Sequence, residues 1–250
     1  MAQRLEPQGQ VIGLGRKPHA FDFAPPFDVI YLVPPPSTGI SDPRLEHFLA
    51  ALPEAPGRIV YISTTGVYGD ADGGTVTEDT PPAPITNRAR RRLAAETALR
   101  AWCEPKNVEW VILRVPGIYG PGRLPLERLQ RSAPALAEAE ASPGNRIHVE
   151  DLADICVAAL LQRQACNRIY NVGDGDHTSS TAFLMLVASV AGLPEPPQLP
   201  MSKLVELTSD TGISFLDESR RVDTTRLRQE LGFRPRFPTA EAGIRASLTA

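Results

Sequence analysis

The apolar positions of this chain fall into short continuous runs separated by polar, proline-rich or glycine-rich stretches, and the runs alternate with segments of helical spacing. The clearest run is Arg58-Ile-Val-Tyr-Ile-Ser-Thr-Thr-Gly-Val-Tyr-Gly69, where β-branched and aromatic residues give way abruptly to hydroxyls and glycine. A run of that kind, without polar alternation, predicts a strand buried on both faces. Asp28-Val-Ile-Tyr-Leu-Val33, Val108-Glu-Trp-Val-Ile-Leu-Arg114 and Arg168-Ile-Tyr-Asn-Val-Gly173 predict three more. Val11-Ile-Gly-Leu-Gly-Arg16 predicts a short strand ending in glycines, after a polar helix end over 1–10. Leu45, Phe48, Leu49 and Leu52 recur at helical spacing. Further helices are predicted over 88–103 with Asn87 as N-cap, over 125–141, from the 146–153 stretch to about Arg163, over 181–191 with Gly192 as its stop, and before Gly232. Strand alternating with helix predicts a doubly wound parallel α/β sheet, in which ligands sit outside the carboxyl ends of the strands. Ser63, Thr64 and Thr65 are thereby delivered to such an end, although the same hydroxyls also suit capping of the following turn.

Composition narrows the partners. With 250 residues the chain can bury a substantial core as one large domain or two small ones. A formal net charge of -3, with one local basic cluster over 88–92, argues against a nucleic-acid partner. Neither a membrane-spanning run nor the apolar core of a signal peptide is present, so no membrane partner is expected. Cys103, Cys156 and Cys166 are odd in number and have no metal-ligand spacing, which predicts a reducing cytoplasm and no metal. The 25 prolines, twice the usual ~5%, predict rigid loops. Gly13-x-Gly15 invites reading as a dinucleotide-binding G-x-G-x-x-G, but the third glycine would be Pro18, and the gap to Asp28 is broken by Pro25 and Pro26. A small-molecule ligand is the expected partner, and the oligomeric state is left open.

Several stretches, in this order, resemble the extended short-chain dehydrogenase/reductases, the family of NAD-dependent epimerases and dehydratases. They are Ser63-Thr-Thr-Gly-Val-Tyr-Gly69, Leu113-Arg-Val-Pro-Gly-Ile-Tyr-Gly-Pro-Gly122, Ile147-His-Val-Glu-Asp-Leu-Ala153, Ile169-Tyr-Asn-Val-Gly173, and Arg221-Val-Asp-Thr followed by Glu230-Leu-Gly-Phe. The resemblance implies a Rossmann-type cofactor domain over 1–172, with 117–146 contributing to a small substrate domain over 173–250. It implies cofactor contacts from Val33, Pro34, Ser63, Thr64, Thr65, Arg92, Pro116, Gly117 and Ile118, and substrate contacts from Tyr68, Tyr119, Arg123, His148, Arg220 and Arg221.

Two departures from the family pattern matter. Val11–Arg16 matches the family's second strand, so the chain as given is expected to begin inside the cofactor domain, without the first strand and its glycine loop. Unpaired strand edges and a weak pyrophosphate cradle would follow. Arg16 falls where an acidic residue would bind the ribose of NAD, and an arginine there suits the 2′-phosphate of NADP, which tilts the expected cofactor to NADP with NAD as the alternative. The second departure is chemical. The family's Tyr-x-x-x-Lys pair aligns with Arg88 and Arg92, while Thr64 keeps the substrate-orienting position. Arginine stays protonated and cannot shuttle protons, so Arg88 is no replacement acid/base, while Arg92 can still hold a ribose or phosphate as a fixed cation. The arginines also suit a solvated helix face. The expectation is therefore an oxidoreductase or epimerase-like enzyme on a small or nucleotide-linked substrate, with Thr64 and Arg92 at its centre. The alternative is a non-catalytic sensor or scaffold that binds a dinucleotide or metabolite.

Overall fold

A computed structural model of the chain describes residues 1–13, 26–207, 218–237 and 239–249. It opens with one helical turn, α1 (Ala2–Leu5), followed by β1 (Val29–Tyr31), α2 (Pro43–Ala51) and β2 (Arg58–Thr64). The short β3 (Thr75–Val76) precedes α3 (Asn87–Cys103), β4 (Glu109–Val115) and β5 (Gly117–Tyr119). Next come α4 (Leu126–Gln130), β6 (Ala135–Leu136), β7 (Arg146–His148), α5 (Val149–Leu161) and β8 (Arg168–Asn171). The last third holds α6 (Ser180–Ala191), β9 (Gln198–Leu199), α7 (Met201–Leu207), β10 (Arg221–Val222), α8 (Thr225–Glu230) and α9 (Ala240–Thr249).

The main sheet has the order β1-β2-β4-β8, with every pairing parallel. Side chains alternate across it. Ile59 and Tyr61 of β2 join Leu45 and Leu49 of α2 and Ala95 and Leu99 of α3 on one face, while Val60 joins Ile155 and Ala159 of α5 on the other. With a helical layer on each face, β2 has no solvated side, which is why its run lacks polar alternation. The doubly wound α/β class read from the sequence is the observed one. A third cluster, including Tyr119, Leu129, Ala135, Leu184, Val187 and Ile244, gathers α4, α6 and α9. Three small parallel pairs, β5 with β7, β6 with β9 and β3 with β10, bring distant segments back together.

Several boundaries differ from expectation for physical reasons. Val11–Gly13 forms no strand, and the rest of that predicted segment, Arg16 included, lies outside the described residues. The Asp28–Val33 strand stops at Tyr31, leaving Leu32 exposed ahead of Pro34-Pro-Pro36. The cap of α3 is Thr86, whose hydroxyl accepts the Ala89 N–H at 3.2 Å, and Asn87 is the first helical residue. The helix predicted over 125–141 ends at Gln130, because Ser132 takes a left-handed φ of 49° and Pro134 cannot donate a helical hydrogen bond. β6 takes its place.

At the amino end of β2, Arg58 is fully buried. Its guanidinium donates to the carbonyls of Ala159 at 2.8 Å and Gln162 at 2.7 Å, which close the carboxyl end of α5, and to Glu109 of β4 at 2.5 Å. One cation thus answers the negative end of a helix dipole and ties β2, β4 and α5 together. Arg58→Met leaves the α5 carbonyls unpaired, while Glu109 keeps Arg163 at 3.2 Å, and should cost about 1–3 kcal/mol. Urea denaturation checks this, and a loss below about 1 kcal/mol would contradict it.

Candidate functional site

The register of the sheet sets the site. Tyr31 pairs with Tyr61 and Thr64 with Val115, so the ends of β1, β2 and β4 lie side by side and the residues that follow share one crevice rim. Val33, Pro34, Thr64, Pro116, Gly117 and Ile118 are brought together there by the topology. Arg44 of α2 reaches the same rim, donating to the Pro34 carbonyl at 3.1 Å.

The three hydroxyls have separate fates. Thr64 is half-buried, and its oxygen accepts the Gly66 N–H at 3.2 Å, which leaves its own proton available to donate. Thr65 is buried in the 3-10 turn over Thr65–Tyr68. Ser63 points to the α3 face and donates to Glu96 at 2.5 Å, which takes its hydroxyl away from the crevice. Glu96 and Arg114 form a pair at 2.7 Å in which both side chains are almost wholly buried. Arg114 lies 4.8 Å over the Tyr68 ring, and the Tyr68 hydroxyl donates to Asn171 of β8 at 2.7 Å. The Asn171 N–H donates to Glu78 at 2.8 Å. A cavity of about 210 Å³ opens beside this network, between α3 and the loop through Pro81. Sequence reasoning missed Glu96, Arg114, Asn171 and Glu78. The available signal was a charge closing the apolar run of β4 and a glutamate beside Ala95 on the buried face of α3.

The arginines of α3 hold fixed positions. Arg92 donates to the Ile62 carbonyl at 2.8 Å and the Tyr61 hydroxyl at 3.1 Å. A tyrosine beside a cation imitates an acid/base pair, but Tyr61 is fully buried, and burial pushes it up to about 12 despite Arg92. Arg91 donates to the Gly39 carbonyl at 2.8 Å. Arg88 is half-buried, and desolvation lowers its pKa, with Glu218 opposing the shift and Arg220 and Arg91 adding to it. Arg220 is buried, donates to the Gly69 carbonyl and pairs with Glu218 at 2.6 Å. Arg221 is exposed and donates to the Gly73 carbonyl.

The remaining residues assigned to substrate divide between packing and surface. Tyr68 and Tyr119 are buried, and desolvation raises both phenols. His148 is 2% exposed. Its Nδ1 accepts the Glu150 N–H at 3.2 Å, so the imidazole is neutral and Nε2–H meets Ser247, whose own proton goes to Gly243. Tyr119 stands edge-on to both His148 and Phe183 and fills the space that a Cβ on Gly243 would need. Arg123 is exposed. Beside this core Arg146, also unforeseen, lies over the Phe183 ring and donates to the Thr178 carbonyl at 2.6 Å, near Asp174 and Asp176. Among the described residues no group of His, Cys, Asp and Glu could hold a metal ion, and no helix is long and apolar enough to cross a membrane.

Burial raises the pKa of Asp174 from 3.8 to about 6, against the pull of the Asp176 N–H and Arg146. A carboxyl that binds its proton more tightly folded than unfolded makes stability fall as pH rises between those two values. Denaturation midpoints across pH 4 to 7 should show that decline, and Asp174→Asn should flatten it; an equal slope in the variant would refute the assignment.

Comparison with known proteins agrees with this architecture. Residues 45–173 match the model of the NAD dependent epimerase/dehydratase family. The Escherichia coli K12 protein YeeZ is 34% identical over 184 residues, covering 72% of this chain and 59% of YeeZ, so the match spans less than two thirds of that relative's length. A solved conserved protein of unknown function from Silicibacter pomeroyi superposes with a TM-score of 0.83 at 29% identity, covering 99% of this chain and 93% of that one. The UDP-glucuronic acid 4-epimerase of Bacillus cereus, solved with NAD, shares the fold at a TM-score of 0.71 and 18% identity, covering 89% of this chain and 73% of its own. On the family match and the YeeZ relationship together, this chain belongs to the NAD dependent epimerase/dehydratase family.

Proposed function

We propose that this protein binds a nicotinamide dinucleotide at the carboxyl ends of β1, β2 and β4 and holds a small-molecule ligand beside it without tyrosine-driven proton transfer. One observation carries the reading. Arg88 and Arg92 stand one turn apart on α3 where the family's tyrosine and lysine are expected, and burial raises the pKa of the nearby Tyr31, Tyr61 and Tyr68. General acid/base catalysis is typically worth ~10²–10⁴-fold, so hydride chemistry deprived of it is slow.

The donor set fits the nicotinamide ribose end of such a cofactor. Thr64 offers a hydroxyl proton, Arg92 a fixed cation, and Pro34 and Pro116 rigid walls. When bound, the dinucleotide would supply hydride acceptance or donation, while Thr64 and Arg92 would orient it. Arg16, whose charge favours NADP over NAD in this reading, lies outside the described residues. The B. cereus neighbour was solved with NAD, which supports the cofactor class.

A second reading, an oxidoreductase or epimerase on a nucleotide-linked substrate, draws on Thr64, whose hydroxyl keeps a proton with which to orient a reacting hydroxyl. Titration with NAD and NADP, followed by absorbance at the reduced-nicotinamide band with nucleotide sugars, separates the two. Binding without turnover supports the first reading; rapid turnover supports the second.

Arg92→Ala removes a charge-assisted hydrogen bond worth ~1.5–3 kcal/mol and should weaken dinucleotide binding about ten- to a hundredfold by calorimetry. Unchanged affinity would refute its role.

A further inference from the structure

The carboxyl end of β1 carries a hydroxyl that the fold does not use. Tyr31 closes that strand, pairs in register with Tyr61 and stacks with its ring, the centroids 6.0 Å apart, while Phe48 of α2 packs against it at 5.0 Å. Tyr31 is 4% exposed, and the ring of a phenylalanine would fill the same space. Yet its hydroxyl hydrogen-bonds to no described residue and is not sealed from solvent. The hydroxyl of Tyr61, beside it, is engaged by Arg92 at 3.1 Å. Native proteins leave few polar groups at buried positions unpaired, and each one left needs a reason.

A second unused polar group lies nearby. Asp42 caps α2 by accepting the Leu45 N–H at 3.3 Å with Oδ1, and the residue is 2% exposed. Its Oδ2 meets no donor. Among the charges that act on the Tyr31 phenol, Asp42 comes first, ahead of Arg44 and Arg92. Each of those cations already has a backbone acceptor, Arg44 at the Pro34 carbonyl and Arg92 at the Ile62 carbonyl. The carboxylate decides what the phenol can receive. A phosphate or carboxylate brings acceptors only and a charge that Asp42 opposes, whereas an alcohol both donates and accepts and carries no charge. Burial keeps the Tyr31 phenol protonated, so it offers that alcohol a proton as well as an acceptor oxygen.

We propose that the Tyr31 hydroxyl, with Asp42 behind it, is a direct ligand contact of the crevice and receives a sugar hydroxyl, on a dinucleotide or on a nucleotide-linked substrate. The inference rests on the ligand-cleft reading above and names the chemical group that this part of the cleft takes. Tyr31 ends the strand that leads into Val33 and Pro34 at the crevice rim, and both ligand classes of that reading are rich in sugar hydroxyls.

The test is Tyr31→Phe in the full chain, which deletes one oxygen and keeps the ring. Wild type and variant are titrated calorimetrically with NAD, NADP and UDP-glucose and unfolded in urea. Binding of the ligand whose sugar is held should weaken about three- to tenfold, the range of one neutral hydrogen bond, while the urea midpoint stays or rises because no protein partner is lost. Loss with the dinucleotides alone places the contact on the cofactor, and loss with UDP-glucose alone places it on the substrate. Asp42→Asn keeps a good N-cap and removes the charge, so binding should weaken or hold within about threefold. Tightening beyond that marks the received group as an anion and overturns the proposal. Unchanged affinity of Tyr31→Phe for every ligand that wild type binds also overturns it and leaves the ligand-cleft reading standing. A nucleotide sugar bound without either dinucleotide, and weakened by Tyr31→Phe, sinks the cofactor reading alone, and wild-type binding of none of the three sinks both.

Discussion

The arrangement around the carboxyl ends of the main-sheet strands is tied together by one buried ion pair, Glu96 with Arg114. Through it α3 is clamped to β4, through Ser63 to β2, and through the Tyr68 ring and Asn171 to β8. Such a pair adds little net stability compared with apolar residues of the same shape, but losing one partner typically costs about 3–5 kcal/mol, because the other charge stays buried alone. The pair therefore sets position more than it sets stability. A helix held only by Ala95 and Leu99 against the sheet could slide, and the polar clamp, with the Arg92 bond to the Ile62 carbonyl, fixes the height of α3 against the strands.

Long, strongly patterned elements were legible in the sequence, and interactions across distance were not. β2 and β4 declared themselves because strands buried on both faces need unbroken apolar runs, and α2 because its apolar positions recur at helical spacing. The two-residue strands β3, β6, β9 and β10 have no periodicity to read, since their pairing is decided by segments far away in the chain. The positions of the candidate site residues were legible to the same degree. Thr64, Pro34 and Pro116 follow from where strands end, whereas the diversion of Ser63 to Glu96 depends on a partner a helix away. The packing of His148 against Ser247 likewise depends on α9.

An arginine at the position that the family pattern gives to tyrosine would change the kind of selectivity such a crevice could exercise. A phenol discriminates by proton affinity and therefore by pH, and its usefulness rests on being tuned near neutrality. A guanidinium has no such range and discriminates by charge and planar geometry alone. The buried phenols around the crevice reinforce this, since desolvation carries Tyr61 away from neutrality.

Arg58 sits at the opposite end of the sheet, and its surroundings bear on how this sequence can drift over evolutionary time. Its fork contacts two carbonyls of the α5 terminus and the Glu109 carboxylate at once, with no exposed surface of its own. A lysine carries the same charge but one nitrogen and no fork, so it cannot span those acceptors. The exchange that a surface position such as Arg90 absorbs silently is closed to position 58. Among relatives of this chain, retention of arginine there would report the docking of α5 and say nothing about the ligand.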